Sequence, residues 1–139
     1  MVILDTNVIS ALMHQQPPPP VRHWLDRQAE LSVWTTSITV FEVRNGIEML
    51  PRSRRRRSLE AEFARVIEDD IERRIVPFDF AAAIAAAVLM AERERDGRTG
   101  DLRDTMIAGI VIASHATLAT HNIRHFADLS LPLVDPWNG

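Results

Sequence analysis

Residues 1–10, MVILDTNVIS, decide how the rest of the chain is interpreted. Residues 2–4 form a short apolar run with no polar position in it, which is typical of a strand buried on both faces of a parallel sheet. Asp5 follows that run, and Thr6 is a residue type that often caps the N-terminus of a helix. The segment therefore predicts a buried strand that leads directly into a helix, with a carboxylate at the junction.

Predicted strands and helices alternate along the chain. Apolar and alternating runs predict strands at residues 2–4, 31–35, 74–78, 116–120 and 131–134. Helical spacing of apolar residues predicts helices at 7–13, 21–27, 36–50, 59–71, 80–95 and 101–114, with a rigid break at Pro17–Pro20. This alternation predicts an α/β/α sandwich around a mainly parallel sheet of about five strands. With no long linker, residues 1–139 are expected to form a single domain.

The composition excludes several kinds of site. The chain has no cysteine, which excludes disulfides, thiolate zinc sites and a cysteine nucleophile and fits a cytoplasmic location. All 16 basic residues are arginine, so no lysine is present to serve a nucleotide-binding P-loop. The net charge of −3 indicates no general basic field for nucleic acid. The first residues show no signal-peptide pattern, and the most apolar stretch, residues 81–91, is too short to cross a membrane.

Three acidic residues lie in apolar surroundings. Asp5 ends the first predicted strand, Glu42 lies on the helix after the second strand, and Asp104 opens the helix before the fourth strand. Ligands of open α/β sheets bind beyond the carboxyl ends of the strands, so these side chains are expected to meet in one crevice. The alternative is that each acid separately caps a helix or pairs with a surface residue.

Acids that meet in this way need a counter-charge, because converging carboxylates repel one another. Ligand sets made only of oxygen suit hard cations such as Mg²⁺ or Mn²⁺, and both accept such ligands equally. A divalent ion held there can activate water and stabilise charge on a phosphodiester. Asp5, Glu42 and Asp104 therefore predict a metal-dependent site that cleaves an anionic polymer.

Five segments in chain order carry a family resemblance. They are MVILDTNVIS at 1–10, TSITVFEVRNG at 36–46, DTMIAG at 104–109, ATHNIRHF at 119–126 and LPLVDPW at 131–137. Together they resemble the PIN-domain toxins of the VapC type, including the FitB-like branch. The resemblance covers nearly the whole chain and implies a PIN-like fold.

The resemblance also implies roles for individual residues. Asp5, Glu42 and Asp104 would be the catalytic and metal-binding acids, and Thr6 would help to orient the first of them. The supporting or substrate-contacting candidates are Thr6, Asn7, Thr120 and Asn122.

Asn122 stands where some members of the family have a fourth acid. An amide adds no negative charge, which leaves open whether the site takes one ion or two. Asp101 lies three residues before Asp104 and could support a second ion, but it could equally be an ordinary acid at a helix N-terminus.

The function implied by the resemblance is that of a Mg²⁺- or Mn²⁺-dependent endoribonuclease that cleaves tRNA, rRNA or mRNA by metal-activated water. Such toxins form homodimers and are silenced by a VapB-like antitoxin whose C-terminal segment fills the active-site groove. The alternative is a PIN-fold binding module with weak or no catalysis, which acts through its antitoxin or RNA.

Some features have a functional and an ordinary interpretation. Arg54, Arg55, Arg56 and Arg57 could bind RNA phosphates or acidic antitoxin residues, or could form a solvated junction between helices. His115, His121 and His125 lack the spacing of a zinc site and are expected at the surface or in supporting roles. The three tryptophans, at 24, 34 and 137, are expected to pack rather than to stack on bases. The alanine-rich helix could pack within the subunit or in a dimer.

Two enzyme classes with an acid after the first strand fit the chain poorly. Haloacid-dehalogenase-type phosphatases need a second Asp two residues on, where this chain has Asn7. Receiver domains depend on a lysine, and the chain has none.

Overall fold

The central feature of the computed structural model, which describes all 139 residues, is a five-stranded sheet. Every pairing in it is parallel, and the strand order is β3-β2-β1-β4-β5. The strands are β1 (Val2–Leu4), β2 (Val33–Thr36), β3 (Ile75–Val76), β4 (Thr117–Ala119) and β5 (Leu133–Val134). The prediction of a parallel sheet of about five strands is therefore confirmed, and the strands are shorter than the apolar runs suggested.

Seven α-helices surround this sheet. They are α1 (Thr6–Leu12), α2 (Pro19–Asp26), α3 (Ser37–Glu48), α4 (Arg54–Arg65), α5 (Phe80–Arg95), α6 (Leu102–Ala113) and α7 (Ile123–Phe126). A 3₁₀ turn at Glu30–Ser32 precedes β2, and a π turn at Val66–Asp70 follows α4. None of the helices combines the length and the apolar character that crossing a bilayer requires.

Several helices differ from the sequence prediction. Helix α2 begins inside the proline run, because proline is tolerated in the first turn, where its missing N–H would have no helical partner. Helix α4 begins five residues earlier than predicted, since the Ser53 hydroxyl accepts a hydrogen bond from the Arg56 amide and caps it. The interpretation of Arg54–Arg57 as a junction between helices is therefore wrong. Helix α7 was not predicted.

The core consists of two apolar clusters, one on each face of the sheet. Successive strand residues point to opposite faces, so Ile3 joins one cluster and Leu4 the other. Trp24 is buried in the cluster under α1 to α4, Trp137 packs against the same cluster, and Trp34 packs against the other. The predicted packing role is confirmed for Trp24, whereas Trp34 and Trp137 pack against the core and remain partly exposed.

Helices α5 and α6 pack unusually closely on one another. A Cβ atom at Gly109 would lie 2.6 Å from the Ala82 carbonyl oxygen, so only glycine fits at this crossing. The alanine face of α5 is therefore used within the subunit. Its opposite face leaves Phe80, Ile84 and Val88 exposed.

Candidate active site

One cleft of about 560 Å³ lies at the carboxyl edge of the sheet, and the three predicted acids line it together. Asp5 follows β1, Glu42 is on α3, which follows β2, and Asp104 is in the first turn of α6, which precedes β4. Because all the strands are parallel, their carboxyl ends bring these three elements to the same place. The predicted supporting residues Asn7 and Asn122 also line the cleft.

Asp5 is the most deeply buried of the three acids, with 4% of its surface exposed. One carboxylate oxygen accepts a hydrogen bond from the Thr6 amide at 2.8 Å. The other accepts bonds from the Thr120 hydroxyl at 2.7 Å and the Asn7 side-chain amide at 3.3 Å. Burial raises the pKa of Asp5, the charge of Asp104 adds to the rise, and the bonds from Thr120 and Thr6 oppose it. No arginine pairs with this carboxylate.

Glu42 is oriented by a chain of hydroxyl groups. The Thr6 hydroxyl donates to Glu42 Oε1 at 2.9 Å and contacts the Thr39 hydroxyl at the same distance. Thr39 is itself bonded to Thr36, which caps α3. Thr6 thus contacts Asp5 through its backbone and Glu42 through its side chain, whereas the sequence suggested only the first contact.

Asp104 is fixed by the start of α6. Asp101 caps this helix by accepting hydrogen bonds from the amides of Arg103 at 2.9 Å and Asp104 at 3.1 Å, so Asp101 acts as a helix N-cap. Burial raises the pKa of Asp104, the charges of Asp101 and Glu42 raise it further, and His125 opposes the rise.

His125 is a functional candidate that the sequence analysis placed in a supporting role without locating it. Its Nδ1 atom lies 3.2 Å from Asp104 Oδ2, and the ring lines the same cleft. The available signal was its place just after β4, at the edge of the sheet where the acids were expected.

The donor set of the cleft matches a hard divalent cation. The acids that line it supply only oxygen ligands, and burial together with mutual repulsion disfavours the charged forms of Asp5 and Asp104. The nearest guanidinium to Glu42 is that of Arg103, with Nε 3.9 Å from Oε2. No three acidic or histidine side chains are gathered closely enough to enclose an ion, so the arrangement is an open cleft rather than a closed shell.

Comparison with known proteins gives the family. The family model described as "PIN domain" matches residues 2–130. The chain belongs to the PIN-domain family. It is 33% identical to the plasmid stability protein StbB of Pseudomonas syringae pv. tomato, with 99% of each chain covered. It is 31% identical to the VapC ribonuclease Y4jK of Sinorhizobium fredii, covering 99% of this chain and 98% of that one.

FitB is a third relative of this PIN domain. The toxin FitB of Neisseria gonorrhoeae is 30% identical to it, with 99% of each chain covered. The crystal structure of FitAcB from the same organism superimposes with a TM-score of 0.87 at 29% identity, covering 100% of each chain. The resemblance to VapC-type and FitB-like proteins is therefore confirmed.

The arginine run of this PIN domain lies away from the acidic cleft. Arg56 is bound to Glu48 at 2.7 Å and to Glu60 at 3.2 Å. Arg56 and Arg57 border a separate shallow pocket that none of the three acids lines, and Arg54 and Arg55 are exposed beside it. The structure brings none of the four arginines to the acids, and their contact with RNA or an antitoxin stays a prediction.

Thr120 and His121, which the sequence analysis also named, lie in different parts of the PIN domain. Thr120 lies beneath the cleft, where its hydroxyl donates to Asp5 and accepts from the Asn122 amide at 3.0 Å. His121 Nδ1 lies 3.2 Å from Asp135, and its ring stacks on Trp137 with centroids 4.2 Å apart. The histidines do not converge on one point, which agrees with the expectation from their spacing that they form no zinc site.

Proposed function

We propose that the chain is a Mg²⁺- or Mn²⁺-dependent endoribonuclease, the toxin of a VapBC-type toxin–antitoxin pair. The observation that carries the proposal is the cleft that Asp5, Glu42 and Asp104 line together, with no arginine bound to Asp5 or Asp104. Relatives named VapC ribonuclease and toxin FitB, each similar over nearly their whole length, support the same activity.

Asp5, Asp104 and Glu42 would hold the ion. When bound, it would neutralise the carboxylates, activate water and stabilise charge on the phosphodiester. Thr120 and Asn7 fix the direction of the Asp5 carboxylate, and Thr6 does so for Glu42.

The substrate side of the cleft is polar. Asn122 lines it with an amide where some members of the family have an acid, so this residue adds no charge for a second ion. Arg103 is the arginine among its lining residues, and its guanidinium can contact a phosphate oxygen of RNA.

The partners follow from the relatives. The similar solved structures include those named FitAcB and FitAB, which support an antitoxin partner for this chain. We include in the proposal a homodimer, a cytoplasmic location and a single domain over residues 1–139. RNA, whether tRNA, rRNA or mRNA, is the proposed substrate.

The test is incubation of the purified protein with total RNA and Mg²⁺ or Mn²⁺, with and without EDTA. Asp5→Asn removes one ligand charge. Asp69→Asn is the matched control, because Asp69 is exposed in the turn before β3 and its side chain makes no hydrogen bond. The wild-type chain and the control variant are expected to cleave RNA. No cleavage is expected from Asp5→Asn, or from any of the proteins in the presence of EDTA. Cleavage that survives the chelator or Asp5→Asn would contradict the metal mechanism.

A binding module without catalysis is the second candidate. It is favoured by Asn122, which places an amide in the cleft at the position where some members of the family have an acid. Binding of RNA or antitoxin without any metal-dependent cleavage would identify it.

A further inference from the structure

A second polar cavity, of about 690 Å³, adjoins the acidic cleft. We call it the arginine pocket, since Arg93, Arg98 and Arg124 line it together with the loop at residues 97–100. The two cavities share Asp101, Asp104 and His125 as lining residues, so they form one continuous surface on either side of His125. No hydrophobic side chain lines the arginine pocket.

The inner wall of the arginine pocket is rigid, because Arg93 is almost completely buried, with 4% of its surface exposed. Its guanidinium donates two hydrogen bonds of 2.9 Å to the Asp128 carboxylate. It also donates to the Thr105 hydroxyl at 2.8 Å and the His125 carbonyl at 3.0 Å. These contacts tie α5 to the start of α6 and to α7, beside Asp104.

The loop that closes the pocket is shaped around Arg93. A Cβ atom at Gly100 would lie 2.1 Å from Arg93 Nη1, so only glycine lets the loop pass this guanidinium. The cavity is therefore a consequence of fixed neighbours rather than of a loose surface loop.

The outer part of the pocket carries cationic groups that can meet a ligand. Arg98 is bound to Asp128 at 2.6 Å and Asp96 at 2.8 Å, yet 35% of its side chain remains exposed. Arg124 is exposed and makes no hydrogen bond or ion pair within the chain. Three arginines and three acids, Asp101, Asp104 and Asp128, line the pocket. Asp128 pairs with Arg93 and Arg98, which leaves Arg124 as the arginine whose charge no carboxylate compensates.

We propose that the arginine pocket binds a phosphate of the RNA strand next to the one that is cleaved. This inference rests on the proposed function. The acidic cleft by itself repels a polyanion, and arginines one step along the strand supply the compensating attraction. The RNA backbone then passes from the acids, over His125, to Arg124 and Arg98.

The test measures binding of a fluorescein-labelled single-stranded RNA of mixed sequence, about 12 nucleotides long, between about 50 and 200 mM salt. The full chain carrying Asp5→Asn serves as the parent, so that cleavage does not interfere. Arg124→Gln removes the charge, and Arg124→Lys retains it. Arg73→Gln is the matched control, because Arg73 is 75% exposed and lies before β3, at the opposite edge of the sheet.

Loss of one phosphate contact makes the plot of log affinity against log salt shallower by about 0.7 for single-stranded RNA. We expect this change, with a several-fold loss of affinity at low salt, for Arg124→Gln but neither for Arg124→Lys nor for Arg73→Gln. Equal slopes in all four proteins would overturn the proposal that the pocket binds a phosphate. A change of slope in Arg73→Gln as large as that in Arg124→Gln would also overturn it. The proposal would also be overturned if Arg124→Gln weakened binding of the antitoxin and left binding of RNA unchanged.

The two proposals fail in different ways. If the wild-type chain cleaves RNA and all the slopes agree, the pocket is wrong and the nuclease assignment stands. If the wild-type chain does not cleave RNA and the parent does not bind it, both are wrong.

Discussion

The carboxylates on the two sides of His125 differ in whether an arginine pairs with them. On one side, Asp128 is bound by Arg93 and Arg98, and the hydrogen bonds from Arg93 above all hold its pKa below the ordinary value. On the other side, Asp104 and Asp5 have no arginine within ion-pair distance, and burial raises the pKa of both.

The difference separates a structural carboxylate from a functional one. A buried charge needs a partner, and for the buried guanidinium of Arg93 the fold supplies the Asp128 carboxylate. For Asp5 and Asp104 the fold supplies hydroxyls, amides and a histidine instead, and it places the two charges near each other. The missing positive charge is then expected from a divalent cation.

The largest expected effect is on cleavage. Asp104→Asn should lower the initial rate of RNA cleavage by at least about 100-fold, since even residues that only orient a metal ligand contribute about 10- to 100-fold. Asp128→Asn should lower it by less than about tenfold, because Asp128 contacts Arg93 and does not line the cleft that would hold the ion. Equal losses of cleavage rate in the two variants, at a temperature where both are folded, would contradict the distinction between a functional Asp104 and a structural Asp128.

Stability should change in the opposite order. Asp128→Asn leaves the buried Arg93 without its counter-charge and should lower the free energy of unfolding by about 2–4 kcal/mol. Asp104→Asn removes a repelled charge and should change it by less than about 1 kcal/mol in the absence of metal. Urea unfolding at neutral pH measures both, and a larger loss for Asp104→Asn would contradict the comparison.

The pH dependence of stability should have opposite signs at the two positions. Raised pKa values mean that folded Asp5 and Asp104 bind protons more readily than in the unfolded chain, so their unfavourable contribution disappears as pH falls towards 3.8. The lowered pKa of Asp128 means that its favourable contribution is present above 3.8 and is lost only as pH falls below that value.

Unfolding free energies at pH 7 and about pH 4.5, both without metal, measure this difference. Any gain from Asp104→Asn should shrink at the lower pH, whereas the loss from Asp128→Asn should persist. The reverse pattern would mean that the two surroundings have been assigned wrongly.

The smallest expected effect concerns Asn122. Asn122→Asp adds a further carboxylate to the cleft and should lower the Mn²⁺ concentration needed for half-maximal cleavage by several-fold. A metal titration of the cleavage rate measures the change. An unchanged or raised requirement would place residue 122 outside the reach of the ion.

The parts of the fold and the site that were predictable depend on local patterns. Strands buried on both faces appear as short apolar runs, and parallel strands place their carboxyl ends at one edge. These two rules are enough to predict that Asp5, Glu42 and Asp104 meet in one cleft. The hydrogen bond by which Thr6 orients Glu42 could not be predicted from these rules and is visible only in the structure.

The parts that were missed depend on contacts between distant residues. Arg93 lies in the sequence Glu92-Arg93-Glu94-Arg95, which is typical of a solvated helix end, and its burial requires Asp128 and the glycine at 100. Helix α4 begins within a run of like charges that disfavours a helix N-terminus. Glu48 and Glu60 compensate part of that charge by pairing with Arg56.

The most direct test of the central claim is the effect of Mn²⁺ on thermal unfolding of the wild-type chain, Asp5→Asn and Asp128→Asn. An ion that binds only the folded site stabilises it by about 2.7 kcal/mol at 100 times its Kd. The account predicts that Mn²⁺ raises the Tm of the wild-type chain and of Asp128→Asn by several degrees and leaves that of Asp5→Asn almost unchanged. An equal rise in all three proteins, or none in the wild-type chain, would contradict it.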